Sequence, residues 1–220
     1  MRSCVRAVIW DFNGTLVDDL DLVVRTVNAQ MARRGLPALT LDEYRAVFAF
    51  PVETYYRRIG VDFERESMAE LSADFFAEYG PALRSCSLYP GVLEALERVR
   101  ERGTRQFVLS AMEEGMLRSM IDLLGIGGYF DAVYGLAHQE GDSKLERAHA
   151  LLGEQKIDSG SSLLIGDTEH DAEVARAVGA TPVLVAQGHQ NEERLKGAGC
   201  DVYPSVEAFA REGLADWLCG

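Results

Sequence analysis

The feature that most constrains this chain is an alternation broken once. Short β-branched runs alternate with longer amphipathic stretches, the pattern of βαβ units feeding a parallel sheet. Strands are predicted at Val5–Trp10, Gln106–Leu109, Ala132–Tyr134, Ser162–Ile165, Pro182–Val185 and Asp201–Tyr203. Between and after them, helices are predicted at Val92–Arg102, Glu114–Leu124, Leu145–Leu152, Asp171–Val178, Glu192–Lys196 and Val206–Trp217. Gly103, Gly125, Gly179 and Gly199 each fall where a helix hands over to a loop, the place of a left-handed C-cap. The expected class is α/β, a doubly wound parallel sheet with helices on both faces.

The interruption lies between the first strand and the second. From Val17 to Leu88 the chain runs for roughly 70 residues, far beyond a βα connection of a few residues. The stretch is helical in pattern: Leu20, Val23, Val24, Val27 and Met31 keep 3-4 spacing, and Glu70–Tyr79 repeats the habit. Leu36-Pro37 and Phe50-Pro51 punctuate it, and Tyr89-Pro90-Gly91 reads as the return hinge. The expected organisation is a core domain of residues 1–16 and 89–220 with an inserted all-helical domain over 17–88.

Bulk properties exclude several classes. The 220 residues carry a net charge of −13, which repels phosphate backbones and argues against nucleic acid as a partner. No apolar run approaches the ~20 residues of a membrane helix, and the N-terminus lacks the form of a signal peptide. Cys4, Cys86, Cys200 and Cys219 are scattered without CxxC spacing. That argues against a zinc site and a disulfide framework, suits a reducing compartment, and leads to the expectation of a cytoplasmic protein.

In a doubly wound sheet, ligands sit beyond the carboxyl ends of the strands. Asp11 follows the first strand, within Asp11-Phe12-Asn13-Gly14-Thr15. Ser110 ends the second, Lys144 precedes the helix after the third, and Gly166-Asp167-Thr168 ends the fourth, with Asp171 four residues beyond Asp167. Taken singly, each is an ordinary turn, cap or surface residue; Asp167 and Asp171 alone would simply favour a helix N-terminus. Together they place three carboxylates, a lysine and a hydroxyl in one crevice, a costly arrangement unless a cation and an anion bind there. Paired hard oxygens suit Mg²⁺. The metal, Lys144, the Ser110 hydroxyl and free N–H groups of the Asp11–Thr15 turn would then hold a phosphate that Asp11 can attack.

Asp11-Phe12-Asn13-Gly14-Thr15-Leu16, Ser110, Lys144 and Gly166-Asp167-Thr168-Glu169-His170-Asp171 resemble, in order and spacing, the four motifs of the haloacid dehalogenase superfamily. The resemblance spans essentially the whole chain, and the helical insertion looks like the cap of phosphoglycolate phosphatase-like members. It implies a Rossmann-like core and a phosphatase in which Asp11 is the nucleophile that becomes a phosphoaspartate. Asp11, the Asn13 carbonyl and Asp167 would bind Mg²⁺, with Asp171 in support. Phe12, Asn13, Ser110, Ala111 and Lys144 would meet the phosphate of a small phosphorylated metabolite.

One motif residue departs from the family pattern. Asn13 stands where the family carries a second aspartate, its general acid and base. An amide cannot fill that role, and such catalysis is typically worth ~10²–10⁴ in rate. The expectation is a phosphatase with a weakened acid–base step, acting on leaving groups that need little protonation or borrowing a proton from Asp18 or Asp19. The opposing reading is a phosphate-binding regulatory protein that kept the fold and lost turnover. Asp18 and Asp19 also read as caps of the first inserted helix. Phe48-Ala49-Phe50-Pro51-Val52, Tyr55, Tyr56 and Arg57 are candidates to meet the leaving group, or to pack a small helical core. His138, His149 and His189 have no evident partner, and His170 reads as peripheral. The oligomeric state leaves no mark on the sequence.

Overall fold

The computed structural model describes residues 4–137 and 143–218; His138 and Cys219 lie outside the described residues. The chain opens with β1 (Ala7–Trp10), a two-residue strand β2 (Val17–Asp18), and the helices α1 (Leu20–Arg33), α2 (Leu41–Val47), α3 (Val52–Arg58) and α4 (Met68–Leu83). It returns through β3 (Ser87–Leu88) to α5 (Val92–Glu101), β4 (Arg105–Glu113), α6 (Glu114–Leu123) and β5 (Ala132–Leu136). Then follow α7 (Lys144–Glu154), β6 (Ser162–Gly166), α8 (Glu169–Val178), β7 (Thr181–Val185), α9 (Glu192–Lys196), β8 (Asp201–Tyr203) and α10 (Val206–Glu212).

Six strands form one parallel sheet in the order β5-β4-β1-β6-β7-β8. All six predicted strands are present, and the four handover glycines have positive φ. Strands β1 and β6 are buried along their whole length, as strands covered on both faces must be. Side-chain alternation divides β1 between two cores. Val8, Trp10 and Phe12 pack toward one face, while Ala7 and Ile9 pack with Ala148 and Leu151 of α7 and Val174 and Ala175 of α8.

The insertion is held by local signals as well as by packing. Thr40 with Glu43 and Ser67 with Glu70 form reciprocal capping boxes at the starts of α2 and α4. Gln30 of α1 ties its neighbours together: its amide donates to the Leu71 carbonyl at 2.9 Å and its oxygen accepts from the Tyr56 hydroxyl at 2.7 Å. The insertion also contains strand, which helical periodicity did not predict. Val17–Asp18 pairs antiparallel with Ser87–Leu88, so the outgoing and returning chains run side by side.

Cysteine pairing departs from expectation too. Cys4 is disulfide-bonded, whereas Cys86 and Cys200 are free thiols. Spacing along a chain does not report which sulfurs a fold brings together. Among the described residues, no helix is long and apolar enough to cross a membrane.

Candidate active site

The site lies where the strand order turns back on itself. From β1 the chain crosses to β4 and β5 on one side, then returns to β6 and β7 on the other. At such a switch point the helices diverge and leave a crevice beyond the carboxyl ends of the strands. Trp10 is in register with Val108 of β4 and Ile165 of β6, so Asp11 and Asp167 emerge from adjacent strand ends; Ser110 lies beside them within β4, which runs on to Glu113 rather than ending at Ser110 as expected. Asp11 shares the parity of Ala7 and Ile9 and therefore faces α7 and α8, whose first turns carry Lys144 and Asp171.

These groups meet. The Lys144 ammonium bridges Asp11 Oδ1 and Asp171 Oδ1, with all three side chains buried. Ligand oxygens of Asp11, Asp167 and Asp171 lie within 4.8 Å of one another. Asp171 serves as both cap and site residue: its Oδ2 accepts from the Thr168 N–H and hydroxyl at 3.0 and 2.7 Å, leaving Oδ1 for Lys144. Asp167 accepts from the Thr15 hydroxyl at 3.1 Å and from the His189 N–H at 2.6 Å. Gly14, at φ +75°, permits the close approach of the first loop; a Cβ there would stand 2.3 Å from Asp167 Oδ2.

Three carboxylates against one ammonium leave an uncompensated negative charge in a buried place. Burial, with repulsion from Asp171 and Asp167, raises the Asp11 carboxyl from 3.8 to about 8 despite the attraction of Lys144. Burial and Asp171 likewise raise Asp167 to about 6 against the pull of His189 and Lys144. Asp171 goes the other way: Lys144 and Thr168 outweigh its burial and hold it below the usual carboxylate range. Among the described residues this donor set is all hard oxygen, and its charge excess fits a hard divalent cation.

Other expected residues are placed differently. Phe12 is fully buried in the hydrophobic core and its carbonyl accepts from Leu16 and Val17, so its side chain does not reach the site. The cause is parity: Phe12 continues the face of Trp10. The Asp11–Thr15 turn is also less free than expected, because the Asp11 N–H donates to Ile165 and the Gly14 N–H to Val17 and Asp19. Ser110 is buried at a register irregularity of β4, where its hydroxyl accepts from the Met112 N–H at 3.1 Å. Ser110 and Ala111 line the crevice.

Asp19 is the N-cap residue of α1, as the sequence suggests, but its side chain is turned away from the helix end. It makes no side-chain capping bond to α1 and is buried. Its carboxylate accepts from Asn13 Nδ2 at 2.9 Å, the Tyr79 hydroxyl at 2.6 Å and the Gly14 N–H at 3.1 Å. The His189 ring stands 3.3 Å from it. Asn13 Nδ2 also donates to the Tyr79 hydroxyl at 2.8 Å. His189, which looked partnerless in the sequence, has its Nδ1 3.0 Å from the Tyr44 hydroxyl. Burial disfavours its charge, but Asp19, then Asp167 and Asp11, lift it from 6.5 to about 9. The only signal for it was its place in the loop after β7, at the carboxyl edge of the sheet.

Crevice and insertion border a cleft-like cavity of about 500 Å³. Phe48, Phe50, Pro51, Val52, Tyr55 and Tyr56 line it, and Tyr55 and Tyr56 are at the same time buried in the hydrophobic core. Arg57 points elsewhere, pairing with Glu53 and lying over Phe63. Ala49 is buried away from the cavity. His170 packs against Phe50 at 4.9 Å between ring centroids.

A family model described as haloacid dehalogenase-like hydrolase matches residues 8–185. The chain belongs to the haloacid dehalogenase-like hydrolases. Among its relatives, a phosphoglycolate phosphatase of Rhodospirillum rubrum is 30% identical, over 97% of this chain and 90% of that one. One from Synechococcus elongatus is 27% identical, over 88% of this chain and 90% of that one. Solved structures share the fold: a haloacid dehalogenase-like family protein from Streptococcus pneumoniae has a TM-score of 0.79 at 20% identity, covering 90% and 92% of the two chains. A CbbY mutant from Rhodobacter sphaeroides, in complex with xylulose-(1,5)bisphosphate, has a TM-score of 0.73 at 18% identity, covering 98% and 100%.

Proposed function

We propose that this haloacid dehalogenase-like phosphatase hydrolyses a small phosphate monoester through a phosphoaspartate on Asp11. The observation that carries the reading is the buried meeting of Asp11, Asp167 and Asp171 with Lys144. Relatives named phosphoglycolate phosphatase add support from outside the chain. Asp11, Asp167 and the Asn13 carbonyl would hold Mg²⁺, with Asp171 oriented beside them by Lys144 and Thr168. When bound, the metal supplies the positive charge that keeps Asp11 ionised and offsets the charge of the phosphoryl oxygens.

The residues divide the work as follows. An Asp11 oxygen attacks phosphorus and the ester P–O bond breaks. Lys144 and the Ser110 hydroxyl steady the phosphoryl group. Water then attacks phosphorus, the Asp11–P bond breaks, and phosphate leaves. Asn13 offers no proton to the leaving oxygen and no base to the water. Asp19 does not replace it: Asn13, Gly14, Tyr79 and His189 hold it, and despite burial the pull of His189 keeps its pKa below the usual value.

With a leaving group that needs no proton, the second half-reaction is slowed more than the first, and the covalent state builds up. Phosphate release from acetyl phosphate should require Mg²⁺ and vanish in Asp11→Ala. Intact-mass measurement during turnover should find the chain carrying one phosphoryl group; an unmodified chain at steady state would refute the accumulation.

A further inference from the structure

The cavity has two chemically distinct ends. Sheet loops supply Asp11, Asn13, Ser110, Lys144, Asp167 and Asp171; the insertion supplies a mostly apolar and aromatic wall, interrupted by Asp19, Glu53 and Ser72. Phe48, Phe50 and Tyr55 form one aromatic group, with centroids 5.4 Å apart from Phe48 to each of the other two. Phe75, Phe76 and Tyr79 of α4 form another, Phe75 stacking on Tyr79 at 4.8 Å. Among the described lining residues the cations are Lys144 and His189, and both already face carboxylates. Glu53, on the insertion's side, is paired with Arg57.

Resting on the phosphatase reading, we infer that the substrate is an aryl phosphate, the monoester of a bulky phenol with no second anionic group. Two independent observations meet in this assignment. A carboxylate or second phosphate on the leaving group would lose its water against apolar walls with no free cation to receive it, a heavy desolvation cost. A two-carbon acid would also leave most of a cavity of about 500 Å³ unfilled. An aromatic ring instead meets the aromatic edges and faces it packs against best.

The second observation is Asn13, held by Asp19 and Tyr79 where the proton donor would stand. A phenolate, with a conjugate acid near pKa 10 like tyrosine, departs without prior protonation far more readily than an alkoxide. In the forward step the Asp11–P bond forms, the P–O(aryl) bond breaks, and the phenolate leaves with the electron pair. Water then releases phosphate and restores the carboxylate, and its protons pass to the phenolate and the solvent.

The test pairs turnover with binding. With Mg²⁺ present, kcat/KM for 2-naphthyl phosphate should exceed that for phosphoglycolate by at least about tenfold. It should exceed that for 2-naphthylmethyl phosphate, which has similar bulk but a poorer leaving group, by more still. Asn13→Asp should narrow the second gap by restoring the acid. Phe75→Ala, and Phe76→Ala should the first variant misfold, should cut the preference for 2-naphthyl phosphate over acetyl phosphate about tenfold. Non-hydrolysable probes decide the matter without turnover: 2-naphthylmethylphosphonate should bind more tightly than phosphonoacetate by calorimetry. Tighter phosphonoacetate binding, or a higher kcat/KM for phosphoglycolate, overturns the assignment. Failure to hydrolyse any ester refutes the phosphatase reading, while the phosphonate comparison still judges the wall.

Discussion

Asp11 and Asp19 are both carboxylates buried beside one cavity, and their surroundings treat them in opposite ways. Asp11 has one strong partner, Lys144, which it shares with Asp171, and two like charges nearby that help raise it to about 8. Asp19 accepts from the Asn13 amide, a main-chain N–H and a phenol, and faces an imidazole; burial pushes it up, but these partners hold it down. One carboxylate waits for charge from outside. The other has all it needs from the chain, and in meeting that need it joins the insertion to the sheet loops. Unmet demand marks a binding site; satisfied demand marks a structural joint.

The largest effect should come from breaking the satisfied cluster. Asp19→Ala leaves His189 buried with its principal counter-charge gone and should cost about 3–5 kcal/mol in urea unfolding. A loss under 1 kcal/mol would mean that the cluster contributes little to holding the insertion. Next comes feeding the unsatisfied one. Mg²⁺ at a hundred times its dissociation constant should stabilise the protein by about 2.7 kcal/mol, and Asp167→Asn should remove most of that gain in a thermal melt.

Removing Asp11 should have the opposite sign to removing Asp19. In metal-free protein, Asp11→Asn relieves repulsion among three carboxylates and should add roughly 1–2 kcal/mol; destabilisation would show that Asp11 was already compensated. The same contrast shapes the pH dependence of stability. Carboxyls raised from 3.8 to about 8 and about 6 bind more protons folded than unfolded, so metal-free stability falls as pH climbs through that window. His189, raised from 6.5 to about 9, contributes in full below 6.5 and loses its contribution as pH rises through 9. Urea melts across pH should find that His189→Gln flattens the upper part of the slope and Mg²⁺ the lower part.

Much of the fold and the unsatisfied cluster could be read directly from the sequence, because both are written locally. Strands buried on two faces appear as unbroken apolar runs, and residues that follow such runs sit at the sheet's carboxyl edge whatever the rest of the chain does. Asp11, Ser110 and Asp167 follow such runs directly, and Lys144 and Asp171 sit at the starts of the helices that come after them. Parity assigns Phe12 to the Trp10 face and so to the core. The satisfied cluster had no such signature. It joins positions 13, 19, 79 and 189, and nothing periodic links a residue before α1 to one late in α4 and another in a loop after β7. The β2–β3 pair escaped for a related reason: two residues cannot show a period, and their partners lie at opposite ends of the insertion.

That small ribbon has a consequence of its own. Asp18 stands opposite Ser87, so the chain enters and leaves the insertion at two neighbouring points, like a drawer on one pair of rails. A tight turn across them would close the remaining sheet domain without stretching it. The chain would keep Asp11, Lys144, Asp167 and Asp171 and discard Tyr79 with the aromatic wall. Fused at the same two points, a different helical module would present a new wall to the same chemistry.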